Sequence, residues 1–199
     1  MTQTRTPVDA AAVSPISRGE APLLAEEESR RWAAAIGGLA AGDWDRPTDG
    51  EGWTVRDRAG HVLGAMRAAA SIREQVSQQR EIGRRVASTG ANQVDVMTAL
   101  QIERTAHLSP ADVVAETSSL VEPAARGRKK TPRPLRRFVK IPVEIGPIVE
   151  TWTLGYLVDT ILTRDIFMHR IDLARAVDQV PDMSGDHSAR IVEDLVGEW

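Results

Sequence analysis

The stretch Leu157–Ala176, "LVDTILTRDIFMHRIDLARA", decides how this chain of 199 residues folds. It holds apolar residues at helical intervals without a proline or glycine, and from about Glu150 to Val177 the pattern reads as one long, buried helix. Within it, Asp165, His169 and Asp172 recur at intervals of four and three, so their side chains share one face. Asp165 and His169, one turn apart, can both reach a single ion. Asp172 is placed to accept a hydrogen bond from a ligating imidazole, as outer acids of metal sites do. The same stripe also suits the wet side of a helix, and spacing alone does not separate the two readings.

Outward from this stretch, the chain is punctuated as a set of helices. Before it, Ser109-Pro110-Ala111-Asp112 supplies a cap, a proline at the first helical position and an acid in the first turn, which predicts a helix over about 110–125. A further helix is expected over about 92–107. Thr54 with Asp57 forms a capping box, and an apolar stripe through Val55, Ala59, Val62 and Met66 predicts a helix running on to about Val86. The Gly-, Asp- and Pro-rich segment "GDWDRPTDGEGW" is a loop, and a first helix runs from Pro22 to Gly37 or Gly42. Residues 1–20 show no apolar period and are expected to be a disordered tail. Ser184 is expected to cap a last, short helix. No alternating strand pattern stands out, so the expectation is an all-α bundle of four main helices over 21–199 with an additional short helix at the C-terminus.

Composition narrows the function classes. A formal net charge of -3 gives no global attraction to phosphate backbones, so nucleic acid is not an expected partner. No apolar run approaches the roughly 20 residues that span a bilayer, and the start of the chain lacks a signal-peptide pattern, which predicts a soluble, cytoplasmic protein without a membrane partner. With no cysteine, any thiol chemistry must use sulfur supplied from outside.

Other residues can join the stripe. His61 stands on the second helix beside Gly64, Ala65 and Ala68, small residues that leave room in front of it; its bland reading is a hydrogen-bonded core histidine. If it meets the stripe, two helices supply two imidazoles and one carboxylate, with coordination positions left open. "RGRKKTPRPLRRFVK", Arg126–Lys140, gathers eight basic residues and reads first as a solvated loop, second as a clamp for an anionic small molecule and last as a nucleic-acid contact, for which it lacks interleaved aromatic residues. His107 and His187 are expected at the surface.

Two blocks carry a family resemblance. Trp44 and Pro47 lead to Gly-Trp-Thr-Val-Arg-Asp at Gly52–Asp57 and then His61; about a hundred residues later comes Arg-Asp at Arg164–Asp165 with His-Arg-x-Asp-Leu-Ala-Arg-Ala at His169–Ala176. Over most of residues 22–199 the chain resembles the mycothiol-dependent maleylpyruvate isomerase family of the wider DinB-like bundle superfamily. The resemblance implies a DinB-like four-helix bundle holding a divalent metal, typically zinc, with His61, Asp165 and His169 as ligands. The isomerases carry glutamate where Asp165 stands, so here the ion would sit closer to its helix or the helix would shift. Some relatives continue into a C-terminal α/β domain, which is expected to be absent.

The function so implied is that of a metal-dependent enzyme using mycothiol or a related low-molecular-weight thiol. Its cofactor thiolate would act in isomerisation, conjugation or transfer on a small electrophilic, and in one reading anionic, substrate; no catalytic side chain is assigned. The alternative is a non-catalytic helical bundle, an interaction or regulatory protein with a structural or vestigial metal site, in which Asp165 pairs with Arg164 or Arg170. Two imidazoles and a carboxylate also describe the facial triad of non-haem iron oxygenases, though usually on a β scaffold. Pairing of two bundles as a homodimer is compatible with the sequence and not specified by it.

Overall fold

The computed structural model describes residues 12–145 and 148–198. The chain forms helices α1 (Ala21–Gly37), α2 (Val55–Ala70), α3 (Ile72–Thr89), α4 (Gln93–Thr105), α5 (Pro110–Lys130) and α6 (Arg133–Phe138). A hairpin of β1 (Lys140–Ile145) and β2 (Ile148–Thr153) follows. Helical turns over Leu154–Ile161 then lead into α7 (Leu162–Ala176), and α8 (Gly185–Val196) comes last. The fold is an all-α, DinB-like bundle. Helix α2 lies against α4 and α5, and α1 lies against α5 and α7. Trp32, Ile36, Val62, Leu63, Met66 and Ile166 join one core, while Ile82, Val96 and Leu100 make a smaller core between α3 and α4.

The caps explain the starts. The Thr54 hydroxyl accepts the Asp57 amide at 3.2 Å, and the Asp57 carboxylate accepts the Thr54 amide at 2.9 Å. Ser109 and Asp112 repeat this box at the head of α5. The expected single helix from Thr54 to Val86 is instead two. Ser71 is extended, and its hydroxyl accepts the Glu74 amide as the cap of α3. The break coincides with a close crossing: a Cβ on Gly127 of α5 would lie 1.8 Å from the Ala69 carbonyl oxygen, so only glycine lets α5 pass the end of α2.

Four further expectations are corrected. Helix α5 extends to Lys130 and α6 follows, so the basic stretch is mostly helical, with Arg128 and Arg136 buried. Residues 140–145 and 148–153 pair as an antiparallel ladder from Lys140 opposite Thr153 to Ile145 opposite Ile148. These segments are rich in β-branched residues, which favour strands, and the long helix therefore starts at Leu154, where Thr153 caps it, rather than at Glu150. A π-helical turn at Leu157–Ile161 interrupts it before α7. Of the expected tail, residues 1–11 lie outside the described residues, but Ile16 is buried with Ala21 and Leu24, and its amide donates to Asp194 of α8 at 3.1 Å. Backbone hydrogen bonding and one apolar side chain suffice to seat this segment without any periodic pattern.

Candidate metal centre

Helices α2 and α7 bring His61, Asp165 and His169 together. Nε2 of His61 stands 3.7 Å from Oδ2 of Asp165, Nε2 of His169 stands 3.3 Å from Oδ1, and the two imidazole rings meet edge-on with centroids 5.2 Å apart. One candidate donor atom from each residue lies within 4.8 Å of the other two. Two donors each about 2.1 Å from one tetrahedral ion stand about 3.4 Å apart, so the Asp165 separations already suit a shared ion. The buried Nε2 of His169 has no hydrogen-bond partner, and the His61 approach to Asp165 is too long for one. A buried polar atom left in this way is costly unless something else satisfies it. The donor set therefore fits a divalent cation.

Asp165 is crowded by protein atoms yet keeps 38% of its side-chain exposure, which places it in a recess open to solvent. Burial alone would raise its pKa; His169 and His61 outweigh that and hold the carboxyl far below the usual range, so it is ionised. For His169, burial opposes the charge, but Asp165 and Asp172 outweigh it and raise the pKa.

The orientation of His61 is set by a chain of amides. Gln78 donates its Nε2 to the Gly64 carbonyl at 3.0 Å, and a carbonyl can only accept. Its Oε1 therefore accepts from Gln101 Nε2 at 3.1 Å, and Gln101 Oε1 in turn accepts from His61 Nδ1 at 2.7 Å. Nδ1 of His61 is thus fixed as a donor, so that in the neutral ring Nε2, the atom facing Asp165, carries the lone pair. This also revises the reading of the small residues on α2. A Cβ on Gly64 would lie 2.6 Å from Cβ of Gln101, and one on Gly60 would lie 2.4 Å from Oγ1 of Thr105. The space they clear admits α4, whose Gln101 then reaches His61.

Asp172 sits differently from its expected role. It lies 3.8 Å from Nδ1 of His169, whereas Nη1 of Arg58 lies 2.7 Å from that nitrogen and 3.3 Å from Asp172. Arg58 is held by Thr48 at 3.2 Å and by the face of Trp53, whose ring also packs against His61. Asp172 thus reaches His169 in competition with Arg58.

Arg164 and Arg170, the partners that the non-catalytic reading gave Asp165, are both engaged elsewhere. Arg164 binds Asp194 of α8 at 2.6 Å, and Arg170 binds Glu28 of α1 at 2.6 Å. His187, expected at the surface, is partly buried and meets Glu28 at 2.7 Å; His107 is exposed as expected. Sequence reading missed Gln101, Gln78 and Arg58. Gln101 and Thr105 do recur four apart among the buried positions of α4, a polar pair on an inward face that signals a buried network.

A family model described as mycothiol maleylpyruvate isomerase N-terminal domain matches residues 25–174. The chain belongs to that family. The match spans α1 to α7 and includes His61, Asp165 and His169. No curated protein matches the chain. No solved structure matches it either. Membership in the mycothiol maleylpyruvate isomerase family implies association with a mycothiol-related thiol and a metal. Among the described residues, no helix is long and apolar enough to cross a membrane.

Proposed function

We propose that this protein is a divalent-metal-dependent enzyme that uses mycothiol or a related low-molecular-weight thiol on a small electrophile. Its metal ligands are His61 through Nε2, Asp165 through its carboxylate and His169 through Nε2, and zinc is the favoured ion because it accepts nitrogen, oxygen and sulfur together. The observation that carries the reading is the convergence of two imidazole Nε2 atoms, that of His169 buried without a hydrogen-bond partner, on one ionised carboxylate in an open recess. A cation bound there would supply Lewis acidity, favouring the thiolate form of a thiol at neutral pH.

The protein's own residues perform the remaining tasks. The Gln78–Gln101 chain keeps the His61 lone pair aimed into the recess. Arg58 now donates to Nδ1 of His169, which leaves that ring's proton on Nε2. Ligation through Nε2 requires the proton on Nδ1, and Asp172 is the acceptor within reach once Arg58 turns fully to it. Trp53 covers one side of His61 and limits water there. The reaction is isomerisation, conjugation or thiol transfer.

Metal analysis of protein purified without chelator tests the reading. About one zinc per chain, lost in His61→Ala and in His169→Ala, is expected, together with consumption of an electrophile such as maleylpyruvate only when mycothiol is present. Absence of bound metal after zinc addition, or unchanged binding in both variants, would refute it.

A further inference from the structure

Five arginines are buried among the described residues: Arg58, Arg128, Arg136, Arg164 and Arg170. Four have a carboxylate partner, namely Asp172, Asp159, Asp194 and Glu28 respectively for Arg58, Arg136, Arg164 and Arg170. Arg128 has none within 4.0 Å among the described residues, although it is only 7% exposed. Its Nε is buried without a hydrogen-bond partner, and its Nη1 has only a long contact of 3.5 Å to Oγ1 of Thr163. A buried, unpaired guanidinium is among the costliest groups a fold can retain.

Its position suggests what it is kept for. Gly127 sits tight against the end of α2, and the next side chain, Arg128, crosses to α7 at Thr163, two residues before Asp165. Burial pulls its pKa down to about 10, and the charge of Asp165 works against that fall, so the two groups feel each other's fields. Arg58 and Asp172 offset each other, as do Arg128 and Asp165. A divalent cation would leave the recess strongly positive, more so than a single thiolate could neutralise.

We propose that Arg128 is the anion-recognising residue of the recess, binding a carboxylate on the small molecule that enters beside Asp165. A guanidinium can present two parallel donors to a carboxylate, and Arg128 has an unsatisfied Nε and a loosely held Nη1 to offer. The carboxylate can belong to the thiol or to the electrophile. The assignment rests on the metal-and-thiol reading above for its ligand, but not for its test.

Calorimetric titration of the full, zinc-loaded chain with 3-mercaptopropionate and its neutral amide reads the thiol-borne source. At least tenfold tighter binding of the carboxylate is expected, falling below twofold in Arg128→Gln with amide affinity and zinc content unchanged. Thermal unfolding of the zinc-free protein with and without succinate reads the site independently of metal and thiol. Succinate is expected to raise the wild-type midpoint and leave Arg128→Met unmoved, while Arg128→Met itself unfolds at a higher temperature than wild type because an unpaired buried charge is gone. Succinate protection without the mercaptopropionate preference assigns the carboxylate to the electrophile. Failure of both thiols to bind would strike the thiol reading alone. The Arg128 assignment is overturned if succinate protects both proteins equally or neither, or if the carboxylate preference survives in Arg128→Gln.

Discussion

Two histidine–carboxylate clusters flank α7, and they are finished differently. On one side Glu28 is fully buried, and its two oxygens are taken by Arg170 at 2.6 Å and His187 at 2.7 Å, which ties α1, α7 and α8 together. On the other side Asp165 faces two imidazoles at 3.3 and 3.7 Å, with a buried nitrogen unsatisfied and a path to solvent. The first cluster is closed and serves the fold; the second leaves donor capacity that only something from outside can use. Adjacent residues of one helix, His169 and Arg170, thus belong to opposite tasks.

The contrast breaks most sharply if the closed cluster is opened. Glu28→Ala strands a buried guanidinium and imidazole, and a loss of about 3–5 kcal/mol is expected from the urea unfolding midpoint. Asp165→Asn in the metal-free protein should cost less than about 1 kcal/mol, since this carboxylate is partly exposed. The second cluster should respond to an ion where the first does not. Zinc at about 100 times its dissociation constant should add about 2.7 kcal/mol to wild-type stability, and this gain should vanish in His61→Ala while persisting in His187→Gln if that variant folds. Loss of the gain in His187→Gln but not in His61→Ala would reverse the assignment.

Smaller effects refine the comparison. Gln101→Leu frees the His61 ring to change tautomer and should weaken zinc binding about 10- to 100-fold by competition titration, with the secondary structure retained by circular dichroism. The smallest effect concerns Asp182, which stands beside the closed cluster. Hydrogen bonds from Ser184 lead in holding its pKa below the ordinary carboxylate value. A depressed folded pKa means that its stabilisation is present above the unfolded value of about 3.9 and is lost as pH falls through the lower folded value. Asp182→Asn should therefore lower stability slightly near neutrality, with the difference from wild type closing as pH falls through the acid limb.

Much of the fold was legible because it was written locally. Thr54 with Asp57, and Ser109 with Pro110 and Asp112, state where helices begin, and the structure starts α2 and α5 there. The break at Ser71 was hidden because the apolar stripe runs through it, and the close pass of Gly127 that accompanies it belongs to a segment more than fifty residues away. The hairpin lay in plain view as "IPVEIGPIVETWT", but the strong helical pattern that follows drew the helix start back to Glu150. The convergence of His61 with Asp165 and His169 was reached from the family resemblance and from a shared helical face, whereas what surrounds them was not. Gln101, Arg58 and Arg128 act through directions that only packing sets; a basic run reads as solvated until one of its members is found facing inward.

The amide relay behind His61 ends on the main-chain oxygen of Gly64, and that ending has an evolutionary consequence. Side chains at 78 and 101 can drift, but a peptide group keeps its polarity whatever is encoded around it. As long as both positions carry amides, that oxygen alone decides which way the wire runs.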